Sequence, residues 1–276
     1  FNLRSPWRVQ LRNDRKVLII DGRTAFIGGI NISRDNDLRL GRPPRHIHDL
    51  HCLIRGPAVG ELQFSFLRDW HYVSGVPPAE LFREEYFPLL EQAGETVVRV
   101  IASGPGQEYE ATAKVFHTAA AVAQESIWII NPYFIPDRAF WSALGMAVAR
   151  GVEVRVVVPE RNNHWYVHHA IHSLYPHLLP RGVRIFEKQG TFSHAKALLV
   201  DNAWGYMGSS NCDVRSFRLN YELDFVGKGG NFIAALRDQF LAEFAGSREV
   251  SLAEVEQVPA RHRLVENFCA LLTPIL

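Results

Sequence analysis

The sequence predicts an α/β fold built as two lobes, on two observations. The stretch 14-DRKVLIIDGRTAFIGGIN-31 returns as 194-HAKALLVDNAWGYMGSSN-211 without a gap, and from Val97 onward short apolar runs alternate with segments of helical spacing. The first marks a duplicated unit; the second marks an α/β lobe with a mixed, largely parallel sheet flanked by helices. A boundary is expected near Glu95, giving lobes 1–95 and 96–276.

In the first lobe, 17-VLII-20 and 25-AFIG-28 read as strands on either side of the turn signal Asp21-Gly22, and 45–55 supplies a third. After Pro57, the apolar residues Val59, Leu62, Phe66 and Trp70 recur at helical spacing, with the proline at the helix start. Val76, Pro77 and Pro78 form a linker, followed by a short helix and a loop. The second lobe should run strand 97–102, helix 108–124, strand 127–130, helix 137–149, strand 153–158, helix 165–179 and strand 183–186. The motif strands 197–200 and 204–207 follow, then a strand at Glu222 and helices over 232–244 and 261–272. Far more of its own lobe precedes His194 than precedes Asp14, so the first lobe is expected to be the rear part of a larger unit.

With 276 residues, 47% of them hydrophobic, the chain can bury a sizeable core. A net charge of +1 offers no global basic field, so nucleic acid is not an expected partner. The first 45 residues are locally basic, ten Lys or Arg against four Asp, which suits a solvated face or a surface for anionic lipid. The three cysteines form no CxxC pair, so neither a disulfide framework nor a cysteine zinc site is indicated. No run of 18 apolar residues is available to cross a bilayer.

Side chains alternate faces along a strand, so His194 and Lys196 point the same way, as do Asp14 and Lys16 in the first copy. Asp21 and Asp201 fall at turns, where a carboxylate holds loop backbone or a basic partner. Gly208 and Ser209 permit close backbone approach, and Asn31 and Asn211 end the two copies with an amide that can donate to an anionic oxygen. Imidazole, ammonium and amide together suit phosphoryl chemistry: a nucleophile or proton donor, with donors for the developing charge. The correspondence resumes at Asp49 and Glu222, each followed by a mostly apolar strand and a glycine seven residues on.

The pattern H-x-K-x4-D-x6-G-S-x-N resembles the HKD motif of the phospholipase D superfamily. Within it, RVQLRNDRKVLIIDGRTAFIGGINIS, GPAVGELQ, IASGP, NPYFIPD, RGVEVRVVVP, GVRIFE and SFRLNYE are similar, in order, to the motifs of bacterial cardiolipin synthases. The resemblance implies two lobes related by a pseudo-twofold axis, with both motifs in one site at their interface. It implies a phosphohistidine intermediate, transfer of a phosphatidyl group to a phosphatidylglycerol hydroxyl, and no cofactor or metal. The phosphate pocket it implies is Lys16, Asn31, Lys196, Ser209 and Asn211, with His194 as the catalytic imidazole and Asp21 and Asp201 as the motif acids. Glu222 then matches the acid that orients the second motif histidine, and Asp49 the acid for the first. The implied location is peripheral, at the cytoplasmic face of a bacterial inner membrane, with an upstream anchor as an option; oligomeric state is left open.

Asp14 departs from the pattern, standing where the first histidine belongs. A carboxylate there repels a phosphodiester and is expected to pair with Lys16, weakening the phosphate site as well. Asp14 admits three readings: an isolated substitution, a noncatalytic relative that keeps lipid binding, or an active variant drawing on His46, His48 or His51. A phospholipase D-type hydrolase using the same residues with water is the rival enzyme. His164, His168, His169 and His172 on one helix could hold a metal, line the mouth of the site or form an ordinary helix face, and HExxH is absent. Aromatics in 128-WIINPYFIP-136, Arg215 and Arg218 beside the second motif, and the amphipathic segment 261–276 are further candidates for lipid or phosphate contact, each with a packing alternative.

Overall fold

The computed structural model describes residues 11–37, 46–105 and 109–273. Its strands are β1 Val17–Ile20, β2 Thr24–Gly28, β3 Ile47–His48, β4 His51–Arg55, β5 Val97–Ser103, β6 Ser126–Ile130, β7 Glu153–Pro159, β8 Arg184–Lys188, β9 Phe192–Ser193, β10 Ala197–Val200, β11 Trp204–Gly208, β12 Glu222–Lys228 and β13 Ser247–Glu249. Its α-helices are α1 Ala58–Ser74, α2 Pro78–Leu81, α3 Ala111–Val122, α4 Arg138–Ala149, α5 Trp165–His172, α6 Tyr175–Leu178, α7 Val214–Arg218, α8 Gly230–Ala245, α9 Leu252–Glu256 and α10 Ala260–Ala270.

One sheet has the order β1-β2-β4 and a larger one the order β13-β8-β7-β6-β10-β11-β12-β5. The larger sheet is mixed, but the expectation that it is largely parallel does not hold. Within this sheet, among the described residues, only β6–β7 and β7–β8 pair in parallel, and the other five contacts are antiparallel. The reason is connectivity: α4, and then α5 with α6, provide the crossovers that parallel neighbours require, whereas the motif strands are joined by a tight turn.

The duplication appears as a shared register. Val17 faces Ile27 and Ala197 faces Met207; Gly28 faces His51 and Gly208 faces Asp224. Both turns use left-handed backbone, at Asp21 (φ 54°) and Gly22 (φ 62°) and again at Asp201 (φ 53°) and Asn202 (φ 48°), a region in which Gly, Asn and Asp are the tolerated residues. One apolar core fills the face of the large sheet toward α3, α4, α5 and α6. A second lies on the other face, where Ala25, Ile27, Ile54, Val59 and Leu62 of the first repeat pack against Leu199, Met207, Phe225 and α8 residues Leu236 and Phe240. Each fully buried Leu or Ile in it contributes roughly 1.5–3 kcal/mol.

Three expected elements differ instructively. The strand expected over 45–55 is broken at Asp49, whose carboxylate accepts the Leu50 N–H at 2.8 Å. The break lets β4 pair with β2 while β3 crosses to pair in parallel with β9 of the second repeat. In α1, Val59 and Leu62 are buried as expected, but Phe66 and Trp70 are exposed and Ser65 and Leu67 take the inner positions. The helix expected over 165–179 is divided into α5 and α6 around Ser173 and Leu174. Among the described residues, no helix is long and apolar enough to cross a membrane.

Candidate active site

The two repeats meet through matching exchanges of backbone hydrogen bonds. His194 N–H donates to the His48 carbonyl at 2.7 Å, and Asp14 N–H donates to the Tyr221 carbonyl at 2.9 Å. Asp14 corresponds to His194 and Tyr221 to His48, so the exchange is what a pseudo-twofold axis between the repeats produces. Each motif's lead residue is therefore set beside the acid of the opposite repeat.

This overturns the expected assignment of the acids. His194 Nδ1 lies 2.8 Å from Asp49 Oδ2, and Asp49 belongs to the first repeat. Glu222, expected to orient His194, instead neighbours Asp14. The motif alignment identifies the equivalent acids correctly, but the twofold swaps their partners.

Around His194 the geometry favours a neutral imidazole. Burial lowers its pKa, and the adjacent Lys196 ammonium lowers it further, while Asp49 opposes both. With Asp49 accepting the Nδ1 proton, Nε2 carries the ring's lone pair. Lys196 is buried behind the ring, its Nζ 2.6 Å from the His194 carbonyl and 2.9 and 3.1 Å from the two ring nitrogens. Burial brings its pKa down to about 8, against the attraction of Asp49.

At the other half, Lys16 Nζ is 2.9 Å from Asp14 Oδ1 and 2.8 Å from the Asp14 carbonyl, the ion pair expected from their shared strand face. Glu222 is fully buried; its Oε2 accepts from Ser209 Oγ at 2.5 Å and its Oε1 from Asn220 Nδ2 at 3.2 Å. Burial, and then the negative charge of Asp14, raise its pKa to about 8. Two carboxyl groups that repel one another occupy the place where a histidine and an acid would attract.

A cavity of about 280 Å³ opens between the motifs, lined by Asp14, Lys16, Asn31, His194 and Asn211, together with Arg12, Tyr133, His164, Tyr166, Asp213, Arg215 and Asn220. Five of the ten sequence-derived residues thus line the cavity; Lys196, expected in the phosphate pocket, instead contacts His194, and Glu222 neighbours Asp14. Ser209 is a correction: it does not line the cavity, and its hydroxyl serves Glu222 and the Leu223 N–H instead. Asp201 sits outside as well, accepting from the backbone N–H groups of Gln124, Glu125 and Ser126 at 3.0, 2.8 and 2.8 Å. Burial would raise its pKa, but these three bonds prevail and lower it. Asp21, its counterpart, is exposed.

Sequence reasoning missed Arg12 and Asn220. Arg12 lies just ahead of the first motif in a stretch without periodicity, and Asn220, two residues before Glu222, is visible only as an alternate-position partner of that acid. His46, His48 and His51 are not among the cavity's lining residues; His48 Nδ1 instead pairs with Glu243 at 3.0 Å. His164 and Tyr166 do border the cavity, while His168 and His172 are not among its lining residues and pack against each other, ring centroids 4.1 Å apart and planes tilted by 45°. Arg218 is held by Glu110 at 2.7 Å.

Comparison with known proteins places this geometry. The family model described as "Cardiolipin synthase, PLD-like domain" matches residues 118–243. The chain is 36% identical over 273 residues to the cardiolipin synthase of Geobacillus thermodenitrificans, covering 98% of this chain and 53% of that protein. It is 37% identical over 282 residues to cardiolipin synthase A of Pseudomonas syringae pv. syringae, covering 100% of this chain and 57% of that protein. The chain therefore spans little more than half the length of these curated relatives. The crystal structure of the phosphatidylserine synthase of Haemophilus influenzae superposes with a TM-score of 0.73 at 14% identity, over 97% of this chain and 72% of that one, a likeness of fold. Residues 118–243 are thus similar to a PLD-like domain, and the whole chain is similar in sequence to bacterial cardiolipin synthases.

Proposed function

We propose that the chain forms the motif-bearing core of a phosphatidyltransferase of the cardiolipin synthase type, acting on phosphatidylglycerol at a membrane surface through His194, and that Asp14 impairs it. The two lobes divide near Glu95, and the site lies between them. The observation that carries this reading is the Asp49–His194 pair at 2.8 Å facing a cavity that also presents Lys16, Asn31 and Asn211.

His194 Nε2 attacks the donor phosphorus, forming a P–N bond as the P–O bond to the departing glycerol breaks. Lys16, Asn31 and Asn211 hold the non-bridging oxygens, with Lys196 adding positive charge from behind the ring. A hydroxyl of a second phosphatidylglycerol then attacks phosphorus, the P–N bond breaks and His194 is restored. The departing alkoxide needs a proton and the incoming hydroxyl must lose one; an imidazole at position 14 would serve both steps. Asp14 supplies no imidazole for either step, and its ion pair withdraws Lys16 from the phosphate. Loss of general acid/base help costs about 10²- to 10⁴-fold in rate.

The test is product analysis on phosphatidylglycerol vesicles. Slow release of cardiolipin and glycerol in equal amounts supports transfer, and phosphatidic acid as the main product would reassign the site to hydrolysis. Vesicle binding with no product, from either this chain or Asp14→His, would favour the noncatalytic reading, which the Asp14–Lys16 ion pair motivates.

A further inference from the structure

The helix α10 is turned inside out relative to ordinary amphipathic packing. It lies along α5, but the residues it buries are Glu266 and Cys269, while Leu264, Phe268 and Leu271 stand 72%, 60% and 76% exposed. Arg261, Leu264, Phe268 and Leu271 follow one another at spacings of three, four and three, so they form a single row on the outer side. A row of large apolar side chains that begins with an exposed arginine is not explained by packing within the chain.

Its position supplies the occupant. Thr273, two residues beyond Leu271, lines the cavity that holds His194, as do His164 and Tyr166 on either side of Trp165, which is 63% exposed. A phosphodiester entering that cavity as part of a lipid brings acyl chains that must remain outside it, in an apolar phase at the rim. Tryptophan favours the boundary between such a phase and water, and an arginine at the end of an apolar row can keep its charge among anionic head groups while its stem lies along the row.

We propose that the outer row of α10, with Trp165, docks the chain onto a bilayer containing anionic phospholipid, setting the mouth of the His194 cavity against the lipid surface. The proposal rests on the lipid substrate proposed above and assigns the surface that meets it.

The experiment is flotation of the purified chain with phosphatidylcholine vesicles, with and without phosphatidylglycerol. It compares the unchanged chain with a Leu264→Asp/Phe268→Asp double variant and with Met146→Asp, a control at an exposed apolar residue of α4. Circular dichroism checks that each is folded. The chain should bind the phosphatidylglycerol vesicles, the double variant at least about tenfold more weakly, and Met146→Asp like the unchanged chain. A measurement that needs no folding comparison is quenching of tryptophan fluorescence by brominated lipid, which should fall in Trp165→Phe. Absence of vesicle binding, or equal binding by the double variant, overturns the proposal. So does self-association without vesicles that the double variant abolishes, which would make a second copy the occupant. Turnover of dispersed short-chain phosphatidylglycerol by Asp14→His tests the chemistry apart from the surface: turnover without docking sinks only the surface, and docking without turnover sinks only the reaction.

Discussion

The strand pair behind Asp14 and the strand pair behind His194 share one register, one turn conformation and one pattern of backbone exchange with the opposite repeat, yet they differ in what surrounds them. β10 lies inside the eight-stranded sheet with both faces covered, so Leu198 and Val200 enter one core while Ala197 and Leu199 enter the other. β1 stands at the end of its three-stranded sheet among the described residues, with Val17 and Ile19 packed inward and Leu18 and Ile20 exposed. The lead residues differ more sharply still. His194 faces an acid and is held by it; Asp14 faces an acid whose charged form it disfavours. The backbone of a catalytic half-site can thus be kept intact while a single side chain reverses its electrostatics.

That comparison breaks most visibly at the nucleophile. His194→Ala should remove both turnover and any acid-labile phosphoryl adduct, detected by mass spectrometry after rapid quench; an adduct that persists would place the nucleophile elsewhere. Next come the two acids. In an Asp14→His background both acids face a histidine, and Asp49→Asn and Glu222→Gln should each cost about 10²-fold or more in turnover through the loss of an oriented, charge-stabilised imidazole. In the unchanged chain only Asp49→Asn should do so, because Glu222 has no imidazole to hold. Equal losses in the unchanged chain would undo the cross-repeat pairing.

A third test reads stability against pH. Glu222 has its folded pKa raised to about 8 by burial and by Asp14, from an ordinary value of 4.5. Between those values the folded state holds a proton that the unfolded state releases, so this group makes stability fall as pH rises from about 4.5 to about 8. Glu222→Gln should flatten the fall, and Asp14→His should lessen it by placing a group there that can carry positive charge; a melting-temperature series across that range decides. The smallest contrast lies at the turns. Asp201→Ala should destabilise by roughly 1–3 kcal/mol, because three backbone donors lose their acceptor, whereas Asp21→Ala, at an exposed turn, should cost no more than its left-handed backbone demands, roughly 1 kcal/mol. Urea denaturation of the two variants measures the difference.

Much of this arrangement could be read in the sequence because a gapless repeat carries register with it. Identical spacings from Lys16 and Lys196 to the asparagines that close each copy leave the two hairpins little freedom to differ. The pairing of Asp14 with Lys16 was expected from strand alternation, and it holds although both residues precede β1. What the repeat could not convey was the operation relating the copies. It matched Asp49 to Glu222 but could not say that a twofold hands each acid to the other copy's lead residue, nor that Asp49 interrupts its strand so that β3 can cross over. Periodicity likewise found α1 and α10 without assigning their faces. In α1, Phe66 and Trp70 keep helical spacing yet point outward; in α10, the apolar row is the exposed one. Ser209 was misassigned for a related reason: its place next to Gly208 suggested a ligand, whereas the close approach there is of β12, whose Glu222 takes the hydroxyl.

On the proposed function, Asp14 alone disables one half of a site that is otherwise intact. The most direct test is turnover of phosphatidylglycerol by the chain and by Asp14→His, measured side by side with His194→Ala as the blank. A rise of about 10²- to 10⁴-fold is expected on restoring the imidazole, and equal rates with Asp14 and with histidine would contradict the proposed role of Asp14.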